Sequence, residues 1–305
     1  MFLKFGGYKL FKTYFKMGLL PCITLELILI LFGKERSKAS ASVRSKVENI
    51  LRVEFAPVIN NFKKTYGCQS FSHHRSNKVW FMWLQGLNNA PVVVKMCYRN
   101  LVKYVTDKDI ILLTEDNYTQ YVSLPTFIQK KWQIGEIPPA SYTDLIRLEL
   151  LIKYGGTWCD ATLLCLGPDY PKEIFNSDFF YFQYENYRLA SWFLTSQTNS
   201  KIMMILRDTL YEYWQRYNCL VDYSMIHLFF NMMINDYKKE LSGMPIYYAK
   251  YPRYLSMNEL FGEKYDAKII EKIKGNGGFV KISYRYDARK MAPDSFYSTL
   301  VREYA

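Results

Sequence analysis

The apolar positions of residues 79–113 follow two patterns in turn. Residues 79–84 and 110–113 are short runs rich in aromatic and β-branched side chains, typical of buried strands. Between them apolar residues recur at helical spacing, with Asn89 expected to cap that helix and Pro91 to begin it. A strand, a helix and a strand in this order predict a parallel sheet, whose ligands bind where the strands end. The pattern therefore predicts an α/β domain.

The residues before this domain have a different character. Apolar residues repeat every three or four positions from 42 to 64, which predicts an amphipathic helix that Pro57 should kink or split. The polar stretch 65–77 is expected to be a linker. We therefore expect a basic, helical extension over residues 1–75 and a main domain over residues 78–305.

The net charge of +12 is concentrated at the amino-terminal end. Residues 1–50 hold nine Lys or Arg and three Glu, and residues 17–33 form an apolar run interrupted by Pro21 and Glu26. That run is shorter than the usual membrane span of about 20 apolar residues. Three interpretations stay open: an interfacial anchor on anionic lipid, a helix packed on the main domain, or a true span or signal.

Composition excludes several classes of protein. Half of the residues are hydrophobic, which excludes a disordered or collagen-like chain. The six cysteines contain no CxxC pair, so we expect a reducing, cytoplasmic location. The basic segment shows no zinc-finger spacing, ribonucleoprotein motif or helix-turn-helix, and no nucleic-acid partner is expected.

A helix and a Gly-Gly turn follow the Pro-Pro pair at residues 138–139. Ser141 or Thr143 is the expected N-cap, and the glycines supply the left-handed end of the helix. Asp144 and Arg147, three residues apart, share one face of the first turn. They are either an ordinary ion pair on the helix surface or part of a site.

The Gly-Gly turn leads into a strand on which Trp158, Asp160 and Thr162 point the same way, because strand side chains alternate. One helix start and one strand end can thus converge on a single cleft.

This stretch resembles the Ser-Asp-x-x-Arg…Tyr-Gly-Gly-x-Trp/Tyr-x-Asp-x-Asp segment of glycosyltransferase family 32. It is most similar to the capsular polysaccharide synthesis subgroup, whose members often read Trp-x-Asp-Ala-Thr there. The resemblance also covers the opening segment 78–86 with its Trp83, the segments 191–194 and 213–223 together with His227, and the tail 281–285. About residues 78 to 300 are covered.

The resemblance implies a GT-A-like fold: a single Rossmann-type domain that binds a nucleotide sugar, here with a helical amino-terminal extension. It implies transfer of a sugar, from a UDP-sugar in the first instance, to a growing capsular or other surface polysaccharide, with retention at the anomeric carbon. The expected acceptor is a lipid-linked oligosaccharide, and the enzyme is expected to be cytoplasmic and peripheral at the inner face of the membrane. The rival interpretations are a non-catalytic sugar-nucleotide-binding scaffold of the same fold and a basic membrane-surface protein.

The resemblance also implies roles for single residues. Trp83 would stack on the nucleotide base, unless it is an ordinary core tryptophan. Asp144 would accept hydrogen bonds from sugar or ribose hydroxyls, and Arg147 would pair with Asp144 or with the diphosphate. Lys281 and Arg285 would contact the diphosphate, unless they are only solvated surface residues.

A divalent metal is the expected cofactor of the family. Asp160 would hold Mn²⁺ or Mg²⁺ against the diphosphate. Thr162 replaces the usual second acid, which leaves one carboxylate fewer and weakens a direct metal site. Thr162 through its hydroxyl and His227 are the remaining candidate ligands, although His227 lies in an apolar helical run where a core histidine is equally expected.

Overall fold

The computed structural model describes residues 8–21, 24, 28, 36–184, 188–249, 260–286 and 290–305. Most of the apolar run 17–33 lies outside these residues. The helices are α1 (Tyr8–Lys16), α2 (Arg36–Tyr66), α3 (Val92–Tyr104), α4 (Thr126–Gln133), α5 (Pro139–Tyr154), α6 (Glu173–Asn176), α7 (Lys201–Arg216), α8 (Met225–Met233), α9 (Lys238–Leu241), α10 (Ala267–Gly275) and α11 (Phe296–Tyr304). The strands are β1 (Lys78–Met82), β2 (Asp109–Leu113), β3 (Gly156–Cys159), β4 (Leu163–Cys165), β5 (Phe179–Tyr184), β6 (Arg188–Ser196) and β7 (Phe279–Lys281).

The chain forms two compact units. The helical unit comprises residues 1–71, 124–148 and 201–237, and the sheet unit comprises residues 72–123, 149–200 and 238–305. The first boundary lies close to the expected linker, and β1 begins at Lys78. Two later segments join the amino-terminal residues in the helical unit.

The sheet unit contains a five-stranded mixed sheet in the order β2-β1-β3-β6-β5. Strand β1 pairs in parallel with β2 and β3, whereas β6 runs antiparallel to β3 and to β5. The short strands β4 and β7 form a separate antiparallel pair. The predicted α/β class and the parallel β1-α3-β2 unit are confirmed, and the arrangement is consistent with a GT-A-like fold.

Helix α2, which covers residues 36–66, buries an apolar face in the helical unit. Leu51, Phe55 and Phe62 are buried, and the Phe55 ring lies 5.0 Å from that of Phe229 on α8. The amphipathic helix is therefore confirmed. Of the two effects expected of Pro57, the split is wrong, since α2 runs unbroken through this exposed position, and the kink stays a prediction. Apolar packing on both sides of the proline holds the helix together where its hydrogen bond is missing. None of the helices in the described ranges is long and apolar enough to cross a bilayer.

Two expected helix starts are also wrong. Asn89 ends a 3-10 turn, and Pro91 itself is the N-cap of α3, with no side-chain cap. Helix α5 begins at Pro139, before both Ser141 and Thr143. A proline suits the first helical position because its φ is fixed and its missing N–H would be unpaired there. Thr143 lies inside the helix, and its hydroxyl donates to the Ala140 carbonyl at 2.8 Å.

The Gly-Gly turn brings β3 into contact with β1. Gly155 and Gly156 have φ values of +66° and +90°, in the left-handed region. A Cβ atom on Gly156 would lie 2.2 Å from the backbone oxygen of Lys78, the first residue of β1. The Trp80 indole N–H on β1 donates to the Gly155 carbonyl at 2.9 Å. Only glycine permits this close approach of the two strands.

Gly156→Ala should destabilise the protein more than an alanine at an unobstructed left-handed glycine. Gly135 is the matched control, because its φ is +72° and a Cβ there would meet open space. We expect Gly135→Ala to cost about 1–2 kcal/mol from backbone strain alone, and Gly156→Ala to cost clearly more. Urea unfolding of both variants measures the difference. Equal losses would contradict the close packing of β3 on β1.

Candidate active site

The carboxyl ends of β1 and β3 lie side by side at one edge of the sheet. Phe81 is the register partner of Cys159, so the chain leaves both strands at the same level. Trp83 follows β1 and Asp160 follows β3. The backbone N–H of Trp83 donates to the Leu113 carbonyl of β2, and that of Asp160 donates to the Trp192 carbonyl of β6, at 3.0 and 2.9 Å. Both residues are thus fixed at the edge where parallel sheets bind ligands.

Each carboxylate oxygen of Asp160 accepts a hydrogen bond from a nitrogen. The Trp158 indole N–H donates to Oδ1 at 2.7 Å, in agreement with the predicted shared direction of these two side chains. The expectation that Thr162 lies on the same strand is wrong, since β3 ends at Cys159 and Thr162 lies in the turn that follows. The Lys281 ammonium lies 2.5 Å from Oδ2. The side chains of Asp160 and Lys281 are 24% and 32% exposed, so a ligand can reach both from solvent.

Strand β7 delivers Lys281 to this position. It pairs with β4 so that Lys281 is the register partner of Leu163, three residues after Asp160. The backbone N–H of Ile282 then donates to the Thr162 carbonyl at 2.9 Å. Thr162 is itself only 8% exposed. The pairing therefore fixes the backbone on both sides of the ion pair.

Trp83 is half-buried and contacts the segment that follows Lys281. Its ring stands edge-on to Tyr284, with centroids 5.4 Å apart and planes at 85°. The indole Nε1 is buried and has no hydrogen-bond partner in the described part of the chain. A buried N–H without a partner is costly, so a ligand oxygen placed there would be favoured. The arrangement is compatible with the predicted stacking role, and that role stays a prediction.

Two further groups lie around this edge. The Arg285 guanidinium is exposed and lies 5.7 Å from the Tyr284 ring centroid. The Trp192 indole donates to the Tyr184 hydroxyl at 3.1 Å. Burial raises the pKa of Tyr184, and the charge of Asp160 raises it further, while the Trp192 hydrogen bond lowers it. Tyr184 therefore presents a neutral hydroxyl near the carboxylate. The sequence places Tyr184 among the aromatic residues of 179–193 and Tyr284 in the tail 281–285, but it gives neither of them a role.

A family model described as capsular polysaccharide synthesis protein matches residues 32–300. The chain belongs to this family. The predicted family is thereby confirmed. No curated protein matches the sequence significantly. Among solved structures the chain is similar to "PaToxG Glycosyltransferase", with 14% identity over 65% of this chain and 83% of that chain and a TM-score of 0.37.

Asp144 and Arg147 form an ion pair in the helical unit. An Arg147 Nη atom lies 3.3 Å from Asp144 Oδ1, and the two side chains are only 5% and 19% exposed, respectively. Arg147 is therefore buried and Asp144 partly buried, unlike a fully solvated surface pair. Arg147 holds the Asp144 carboxylate in a fixed orientation, which is one of the two roles predicted for the arginine.

The residues around Asp160 do not fit a divalent cation. Mn²⁺ and Mg²⁺ prefer oxygen ligands, whereas each Asp160 oxygen already accepts a hydrogen bond from an N–H group. Thr162 adds no charge, and His227 lies half-buried on α8 in the helical unit. Within the described ranges no group of three His, Cys, Asp or Glu side chains is placed to hold a metal. The predicted metal stays a prediction without a matching ligand set.

Proposed function

We propose that the chain is a glycosyltransferase that moves a sugar from a nucleotide diphosphate sugar, with UDP as the expected nucleotide, to a hydroxyl of a growing capsular polysaccharide repeat unit. Membership of the capsular polysaccharide synthesis family supports this proposal. The observation that carries it is the set of groups at the carboxyl edge of β1 and β3: an aromatic ring, a carboxylate and a cation that solvent can reach.

Each of these groups suits one part of the donor. The Trp83 ring offers a flat surface for the base, and its buried indole N–H is a hydrogen-bond donor without an acceptor in the described residues. The Lys281 ammonium suits the negatively charged diphosphate, and Arg285 adds a second cation from the same segment. Asp160 positions Lys281 through their ion pair.

The proposed reaction retains the configuration at the anomeric carbon. The acceptor oxygen bonds to the anomeric carbon on the face from which the diphosphate departs, while the bond between the anomeric carbon and the β-phosphate oxygen breaks. The acceptor proton passes to that phosphate oxygen, and the nucleoside diphosphate leaves. Positioning and electrostatic stabilisation of the leaving group are then the protein's main contributions.

The amino-terminal helix supports a membrane-bound acceptor. Tyr8, Lys12 and Phe15 are exposed on one face of α1, whereas Thr13 on the opposite face, and Met17 just after the helix, are buried. A face that combines aromatic rings with lysine suits the interface of an anionic bilayer. We therefore propose peripheral contact with the cytoplasmic membrane face and a lipid-linked oligosaccharide as the acceptor.

Nucleotide release from a panel of UDP- and GDP-sugars, with a lipid-linked glycan as acceptor, tests the transferase. One donor should turn over, and Asp160→Asn should reduce that rate by about a hundredfold, because Lys281 loses the group that positions it. The same variant should change the free energy of unfolding by no more than about 1 kcal/mol, since the ion pair is partly exposed.

Asp178→Asn is the matched control. Asp178 pairs with Arg75 at 2.6 Å on the surface of the same unit, so its loss should leave turnover unchanged. Binding of a nucleotide sugar without turnover of any donor would contradict the proposed transferase activity and favour a non-catalytic scaffold that binds sugar nucleotides.

Sedimentation with lipid vesicles tests the membrane contact. The protein should bind phosphatidylglycerol vesicles more strongly than phosphatidylcholine vesicles, and the variant Lys12→Glu with Phe15→Ser should lose most of that preference. Tyr223→Ser removes an aromatic residue that is 66% exposed elsewhere in the helical unit and should have no effect. Equal binding to both lipids by the wild type would rule out the proposed contact.

A further inference from the structure

Each carboxylate oxygen of Asp160 contacts a group that can only donate hydrogen bonds. An indole N–H can only donate, and a protonated lysine can only donate. Oδ1 accepts from Trp158 and Oδ2 accepts from Lys281, so the carboxylate is oriented by two protein nitrogens. A divalent cation would have to share these oxygens with the two donors, each of which already occupies one of the lone pairs through which the carboxylate could bind a metal.

The Lys281 nitrogen lies as close to Asp160 as a bound metal ion would lie. Oxygen-bound divalent cations lie about 2.0–2.6 Å from their ligands. The ammonium nitrogen lies 2.5 Å from Oδ2, with the same sign of charge. A second cation at that oxygen would meet strong repulsion from the ammonium, because the two would be only a few ångströms apart.

We infer that Lys281 takes the place of the divalent cation: its ammonium binds the donor diphosphate directly, Asp160 positions it, and the site needs no metal. This inference rests on the proposed transferase function. It also accounts for Thr162, since a second acid beside Asp160 would only add negative charge where there is no metal to neutralise it.

The charges agree with this inference. Asp160, Lys281 and Arg285 together carry a net charge of +1, the same as one aspartate with one divalent cation. Lys281 is fixed in place, because β7 is hydrogen-bonded to β4 and Ile282 to Thr162. Arg285 lies in the same segment, with its guanidinium near the ring of Tyr284 and Tyr284 against Trp83. One segment therefore supplies both cations beside the proposed base-stacking ring.

Isothermal titration with UDP, GDP, uridine and guanosine, each in EDTA and again with Mn²⁺, tests the inference without any need for turnover. One of the two diphosphates should bind to the wild type with the same affinity in both conditions. Binding that appears only with Mn²⁺ would overturn the inference and leave the transferase standing. No binding of either diphosphate in either condition would overturn the proposed function, and the inference with it.

Lys281→Met locates the contact. This variant should bind the diphosphate about ten- to a hundredfold more weakly, because a hydrogen bond to a charged group is lost. Its affinity for the matching nucleoside should be unchanged. Lys281→Arg keeps the charge and should restore part of the affinity. Lys172→Met is the matched control, since Lys172 also pairs with an aspartate, Asp107 at 3.3 Å, in the same unit.

Equal weakening of diphosphate and nucleoside by Lys281→Met would overturn the inference, because it would show a loss of the whole site rather than of a phosphate contact. An unchanged diphosphate affinity in that variant would overturn it as well. The comparison in EDTA needs no variant, so the inference stays testable even where Lys281→Met does not fold.

Discussion

The ion pair between Asp160 and Lys281 is the interaction on which the candidate site depends. It joins residues that are 121 positions apart: Asp160 follows β3, and Lys281 is the last residue of β7. Such a partly exposed pair adds little to stability, so its importance is geometric. It holds a cation at the end of β3, on the side of the sheet where Trp83 follows β1. The indole of Trp158 completes the arrangement by fixing the other carboxylate oxygen.

Much of this edge could be predicted from local sequence. The β1-α3-β2 unit follows from apolar periodicity, and β1 begins where the polar linker ends. The shared direction of Trp158 and Asp160 follows from the alternation of side chains along a strand, and the left-handed glycines follow from the Gly-Gly pair. These features depend on near neighbours in the chain, which a pattern of residues can show.

The features that the sequence did not show depend on distant partners or on competing local signals. Nothing near residue 281 indicates that β7 pairs with β4 and so brings Lys281 to Asp160. The union of residues 124–148 and 201–237 with the amino-terminal helices is likewise a matter of tertiary packing. Pro57 shows packing overriding a helix-breaking residue, and Pro139 shows that a proline can begin a helix before the polar residues that were expected to cap it.

A crystal structure of the protein with UDP, grown without divalent cations, tests the central claim most directly. The account predicts that a β-phosphate oxygen lies about 2.7–3.2 Å from the Lys281 nitrogen, that Asp160 still contacts Lys281, and that the base lies against the Trp83 ring. A diphosphate bound away from Lys281, or a nucleotide bound elsewhere on the chain, would contradict it.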